Sequence, residues 1–269
     1  MNQVTIESLI NLIKTYNPDA VSEVKKAYDL AEQLHKNQYR QSGEPYIIHP
    51  LNVAYILTQM HADAETVSAA LLHDTIEDTA ITKEEIEKQF GKEIATLVDG
   101  VTKMSKLNFT SEEEQIASNT RKIITSLDDD VRIVIIKLAD RMHNIRTLQY
   151  KSKYKQRETA LKTMEIFVPL AYCLGSYSIK SELENNSLAY LKRKKYAKIK
   201  DTLETIMGKD NVSVQVSTVM DFNQTRATIE SYTPNGTTFG DILTQTLYAP
   251  TEDGLVEVTS SFLRIKQEL

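Results

Sequence analysis

The spacing of the apolar residues constrains this chain more than any other feature. From Thr5 to about Tyr196 they recur three and four positions apart, as in Leu9, Leu12 and Ile13 and again in Ala27, Leu30, Ala31 and Leu34. That is the period of a helix burying one face, and it predicts helix after helix. The breaks fall at residues that start or stop helices: Asn17-Pro18, Ser42-Gly43-Glu44-Pro45, Gly91, Asp128-Asp129-Asp130 and Gly175. Pro50 behind His49 fits a helix opening, because the N–H that proline lacks would have no partner in a first turn. Thr82-Lys83-Glu84-Glu85 matches a capping box, with Thr82 as N-cap and Glu85 three residues on.

After about Lys200 the period changes to two. Val212 to Val219 alternates, Arg226 to Tyr232 and Leu255 to Ile265 are rich in β-formers, and Asn235-Gly236 and Asp253-Gly254 are turn dipeptides between such runs. The expected architecture is mainly α: an all-helical domain over residues 1–195, followed by a small α+β C-terminal module over 196–269. The basic run Lys192-Arg193-Lys194-Lys195 before that module reads as a solvated helix face. With 41% hydrophobic and 26% charged residues, the composition is that of a soluble globular protein. The most apolar stretch, Val131 to Ala139, is interrupted by Arg132 and Lys137, far short of the about 20 apolar residues of a membrane span. No membrane association is expected. The lone Cys173 excludes an internal disulfide and a thiolate metal cluster, and the chain opens without signal-peptide features, so a cytoplasmic location is expected. A net charge of −5 does not draw a polyanion, and no nucleic acid is expected as a partner.

Three words carry chemistry. In Ala69-Ala70-Leu71-Leu72-His73-Asp74-Thr75-Ile76-Glu77-Asp78 an apolar run leads into four polar groups; on a continuous helix Glu77 lies one turn beyond His73 and Asp78 one turn beyond Asp74, forming a strip that faces inward. A solvated acidic helix end is the plainer reading for Glu77 and Asp78. In Ile133 to Asn144 a nearly continuous apolar run delivers Asp140, with Asn144 and Thr147 on its face; a core salt bridge to Arg141 or Arg146 is the plainer reading. His143 reads as structural. In Tyr46-Ile47-Ile48-His49-Pro50 a histidine opens an apolar helix, where a hydrogen-bonded core histidine is the plainer reading. Together His49, His73, Asp74 and Asp140 form a two-imidazole, two-carboxylate set suited to a divalent transition metal, and on ligand grounds Mn2+, Fe2+ and Zn2+ all remain open.

This His…His-Asp…Asp order in a helical chain resembles the HD superfamily of metal-dependent phosphohydrolases. Arg40 to Pro50, His73 to Thr79, Val98-Asp99-Gly100-Val101-Thr102-Lys103 and Lys137 to Leu148 narrow the resemblance to the hydrolase domain of the RelA/SpoT alarmone enzymes, over about residues 20–195. The resemblance implies hydrolysis of guanosine 3′,5′-bis(diphosphate) at its 3′-pyrophosphate, yielding GDP or GTP and pyrophosphate, with Mn2+ as cofactor. It implies His49, His73, Asp74 and Asp140 as metal ligands, and Glu77 and Asp78 as the pair that activates water and handles protons. Arg40 matches the arginine that packs on guanine, and Ser42, Asn144 and Thr147 match positions that hold base, ribose and phosphates. Lys103, Arg141 and Arg146 are further candidates for phosphate neutralisation or structural pairing.

Two departures shape what is expected. Where bacterial members commonly read Arg-Lys-Ser-Gly, this chain has Arg40-Gln41-Ser42-Gly43, one positive charge fewer near the nucleotide. Another 3′-phosphorylated nucleotide, an adenosine alarmone or NADPH, is therefore an alternative substrate, and an alarmone sensor without turnover is an alternative role. No counterpart of the family's synthetase motifs follows, so a stand-alone hydrolase is expected. The resemblance does not cover the C-terminal module; regulation, homo-oligomerisation, a protein partner or a packed structural cap are its open roles.

Overall fold

The computed structural model describes residues 4–106, 130–194 and 196–197, and the backbone of four strands between 213 and 263. The chain divides into two compact units, Met1–Ser152 and Lys153–Leu269.

In the first unit α1 (Ile6–Lys14), α2 (Val21–Leu34), α3 (Ile48–Gln59), α4 (Ala64–Leu72), the single turn α5 (Thr75–Asp78), α6 (Lys83–Phe90), α7 (Lys92–Ser105) and α8 (Val131–Arg146) follow one another. Helix α4 lies at the centre. Every residue from Thr66 to Leu72 is buried, as expected of a helix whose residues are small or apolar on all sides. It packs against α2, α3 and α7, and α8 packs against α3 and α7. Two predicted start signals hold: Thr82 and Glu85 form the capping box of α6, and Asp130 caps α8 through the Arg132 amide at 2.9 Å. Helix α4 is capped by Asp63, which accepts from the Thr66 amide at 2.7 Å. Helix α3 opens at Ile48, which puts His49 and Pro50 in its first turn. Asp128 and Asp129 lie outside the described residues.

The continuous helix expected through residues 69–78 is not formed. The carbonyls of Ala70 and Leu72, which such a helix would offer to the amides of Asp74 and Ile76, face the His73 imidazole and the Thr75 hydroxyl at 2.7 and 2.6 Å. Helix α4 therefore stops at Leu72 and α5 restarts at Thr75, with His73 and Asp74 at the joint. The four polar groups do not share one inward strip: His73 is buried, whereas Glu77 and Asp78 are exposed.

Gly100 sets how closely α7 and α8 approach. A Cβ there would lie 2.3 Å from Ile133 Cδ1 and 2.9 Å from its Cγ1. Only glycine permits this packing of the helix that carries Asp140. Gly91, with φ of 87°, makes the left-handed joint between α6 and α7.

In the second unit α9 (Lys153–Lys162) passes through a π-helical turn (Thr163–Phe167) into α10 (Val168–Cys173), and Gly175 at φ of 69° leads to α11 (Tyr177–Leu191). Lys192, Arg193 and Lys194 are exposed, as predicted. The strands β1 (Ser213–Thr218), β2 (Thr225–Glu230), β3 (Ile242–Thr251) and β4 (Gly254–Leu263) form one mixed sheet in the order β1-β2-β4-β3, with β2 and β4 parallel and the other pairs antiparallel. Three strands fall where the alternation predicts them. β3 was not anticipated, because Pro250 weakens the strand reading there; β3 lies at the sheet edge, where proline is tolerated. Thr251 pairs with Gly254, so β3 and β4 meet where the Asp253-Gly254 turn is predicted, and Asp253 itself lies outside the described residues. Asn235-Gly236 lies outside the described residues.

Two substitutions test this account. Gly100→Ala is expected to lower stability by about 1–2 kcal/mol in urea unfolding, because overpacking against Ile133 outweighs the gain in helix propensity; an unchanged midpoint would show that Ile133 yields freely. Asp130→Ala is expected to cost about 1 kcal/mol near neutral pH. The hydrogen bond from Arg132 holds the Asp130 carboxyl below its ordinary value of 3.8. Its contribution is therefore complete above that value and lost as pH falls through the lower folded value. The deficit of the variant should shrink over the same range.

Candidate metal centre and cleft

The joint between α4 and α5 settles the chemistry of His73. Its Nδ1 faces the Ala70 carbonyl, an acceptor only, so Nδ1 carries a proton and donates. Nε2 is left buried without a hydrogen bond, 3.1 Å from Asp74 Oδ1. Burial opposes a charge on His73, yet Asp74 and Asp140 outweigh it and raise its pKa. The surroundings thus favour positive charge at the spot where a ligated cation would deliver it.

His49, also buried, places Nε2 3.2 Å from Asp140 Oδ1 and 3.6 Å from Asp74 Oδ2. Its Nδ1 lies 2.7 Å from His143 Nδ1. Burial lowers the His49 pKa. Asp140 is buried with Lys137 Nζ 2.7 Å from Oδ2; burial pushes its pKa up, but Lys137 and the two imidazoles hold it well below the usual carboxylate range. Asp74 is held low in the same way, with burial outweighed by His73 and His49.

Ligand atoms of His49, His73 and Asp140 all lie within 4.8 Å of one another. Asp74 stands outside that mutual set but borders both imidazoles. An orphaned imidazole nitrogen, a second imidazole and two ionised carboxylates converging in a buried place fit a divalent cation bound by nitrogen and oxygen.

The cluster opens onto a cleft of about 420 Å3, within the range of small-molecule sites. Arg40, Gln41, Ser42, His49, Asp74, Glu77, Asp78, Asp140, Asn144 and Thr147 all line it. The residues anticipated as metal ligands, as the catalytic pair and as the main substrate contacts, His73 excepted, therefore border one space. Asn144 Nδ2 donates to Asp140 Oδ1, and Asn144 Oδ1 accepts from Arg40 Nη2 at 3.0 Å. Ser42 Oγ donates to Glu44 at 2.9 Å, and Thr147 Oγ1 to the His143 carbonyl at 3.0 Å. Lys103, Arg141 and Arg146 are not among the lining residues, and Lys103 Nζ pairs with Asp99 at 2.8 Å.

Three participants were not foreseen. Tyr46, stacked on His35 with ring centroids 4.7 Å apart, sets its hydroxyl 2.7 Å from Asp74 Oδ2 and 3.0 Å from Asp78 Oδ2. Burial first, then those two carboxylates, raise its pKa. Lys137 was visible as a cation inside an apolar run three residues before Asp140. His143, read as structural, meets His49 of α3 directly, a contact that spacing along α8 does not reveal.

Residues 27–177 match the profile of the HD domain family, and residues 203–261 match that of the flagellar M-ring protein C-terminal region. The bifunctional (p)ppGpp synthase/hydrolase SpoT of Escherichia coli K12 is 46% identical over 210 residues, covering 78% of this chain and 30% of that protein. The guanosine-3′,5′-bis(diphosphate) 3′-pyrophosphohydrolase of Aquifex aeolicus is 43% identical over 201 residues, covering 75% and 28%. The chain thus spans less than a third of the length of these curated relatives. Among solved structures, a metazoan ortholog of SpoT described as hydrolysing ppGpp is 24% identical with a TM-score of 0.42, covering 69% of this chain and 96% of that one. A Listeria monocytogenes EGD-e protein is 28% identical with a TM-score of 0.42, covering 56% and 98%. Among the described residues no helix is long and apolar enough to cross a membrane.

The charge balance of the centre is testable. Lys137→Met leaves Asp140 without its cation and is expected to destabilise the metal-free protein by about 3 kcal/mol. Saturating Mn2+ should return much of that loss in thermal unfolding; equal loss with and without Mn2+ would show that no cation reaches Asp140.

Proposed function

This chain belongs to the HD domain family, and we propose that it is a Mn2+-dependent hydrolase of guanosine 3′,5′-bis(diphosphate) and its 5′-triphosphate form. The observation that carries the reading is the set of buried His49, His73 and Asp140 with half-buried Asp74, opening onto a cleft lined by Arg40, Ser42, Glu77, Asp78, Asn144 and Thr147. The names of the relatives support the substrate. Their bifunctionality is not carried over, because the chain spans less than a third of their length.

His49, His73, Asp74 and Asp140 would hold the cation, which supplies Lewis-acid stabilisation of charge on phosphate oxygens and makes water more acidic. Glu77, exposed at the cleft, is placed to take the proton of the attacking water. Water adds to the phosphorus next to the ribose, the bond from that phosphorus to O3′ breaks, and O3′ takes up a proton while pyrophosphate leaves. Asp78, steadied by the Tyr46 hydroxyl, is the carboxyl placed to serve that second proton. Arg40 packs on the base, and Ser42, Asn144 and Thr147 orient the nucleotide by hydrogen bonds.

Residues 1–195 form the hydrolase domain in this reading, and 196–269 a module for regulation, self-association or a partner protein. The protein works in the cytoplasm on a small nucleotide, without nucleic acid or membrane.

Pyrophosphate release from guanosine tetraphosphate, measured on metal-stripped protein with and without Mn2+, tests the reading. Release should require Mn2+. Asp74→Ala should lose both metal and turnover, while Glu77→Ala keeps the metal and falls by about 100-fold or more. Stoichiometric binding without release would identify a sensor, and faster cleavage of an adenosine alarmone or NADPH would reassign the substrate that Gln41 selects.

A further inference from the structure

The two imidazoles of the cluster are oriented by different kinds of partner. His73 Nδ1 faces a carbonyl, which only accepts, so the backbone itself fixes the proton on Nδ1 and leaves Nε2 as the ligand atom. His49 Nδ1 faces another imidazole nitrogen, His143 Nδ1, at 2.7 Å in a buried setting. One proton lies between those two nitrogens, and either ring could hold it. If His143 holds it, His49 is protonated on Nε2, which then donates to Asp140 Oδ1 at 3.2 Å and has no lone pair for a cation. If His49 holds it, Nε2 is free to ligate.

We propose that His143 is the positioning residue of the metal centre: by accepting the Nδ1 proton of His49, it selects the tautomer and ring orientation in which His49 binds the cation. The role goes beyond the hydrolytic reading and rests only on its metal site. His143 is suited to accept. It is buried and sits one turn after Asp140 on α8, with its Nδ1 turned to His49 Nδ1. A neutral imidazole that accepts at Nδ1 carries its proton on Nε2. Its contact with His49 spans 94 residues of sequence and joins the first turn of α3 to α8. Histidine ligands held in this way lose about 10–100-fold in metal affinity when the acceptor is removed.

The test is Mn2+ affinity, measured on metal-stripped protein by the loss of the free-ion electron paramagnetic resonance signal, with thermal unfolding in parallel. His143→Leu keeps the bulk and removes the acceptor, and should weaken Mn2+ by about 10-fold or more. His143→Asn, whose Oδ1 can stand close to the imidazole Nδ1, should recover most of that loss. Imidazole 15N NMR of the full chain loaded with diamagnetic Zn2+ should place protons on His49 Nδ1 and His143 Nε2, a readout that does not depend on either variant folding. A folded His143→Leu protein with wild-type Mn2+ affinity would assign His143 to packing and overturn the proposal. So would a proton found on His143 Nδ1 in the loaded protein. Failure of the wild type to bind Mn2+ or Zn2+ would overturn the metal centre itself, whereas binding without pyrophosphate release would overturn the hydrolytic reading and leave His143 in its role.

Discussion

Two carboxylates removed from water govern the first unit. Asp74 and Asp140 stay ionised only because Lys137, His49 and His73 surround them with positive charge or hydrogen-bonding nitrogen. An isolated buried carboxylate would take a proton instead. Holding those partners in place requires rigid surroundings, and the fold supplies them. The buried α4 ends at His73, α3 begins at His49, and α8 brings Lys137, Asp140 and His143 on successive turns. Gly100 lets α7 close on α8, so even a glycine outside the cleft bears on where Asp140 sits.

Much of this was legible because it depends on local rules. Caps such as Thr82 with Glu85 and Asp130 before Val131 are satisfied by neighbours within three residues, and the apolar run around Asp140 reports burial by itself. The four candidate metal-ligand positions could be picked out for the same reason: each stands where an apolar helix begins or ends, or interrupts an apolar run. The break at His73 and Asp74 was not legible, since no glycine or proline marks it. Two side chains there take the carbonyls that a helix would use, and nothing in the apolar period foretells that.

What spacing could not show is contact between distant segments. Tyr46 meets Asp74 across 28 residues and Asp78 across 32, Arg40 meets Asn144 across 104, and the tyrosine ring stacks on His35, the residue that caps α2. The edge strand β3 was hidden by a different cause: Pro250 counts against a strand in general, and only the position in the sheet makes it harmless.

The amide of Asn144 has both ends engaged, one on Arg40 at the mouth of the cleft and one on Asp140 in its depth. A ligand that hydrogen-bonds to Asn144, through its second N–H or the remaining lone pair of Oδ1, shares that amide with both partners, and so bears on how Arg40 is held or how Asp140 shares its charge. Occupancy at the mouth and occupancy in the depth then cease to be independent events. Thermodynamic linkage makes the dependence reciprocal: by whatever factor a cation at Asp140 tightens or loosens the nucleotide, the nucleotide alters the hold on the cation by the same factor.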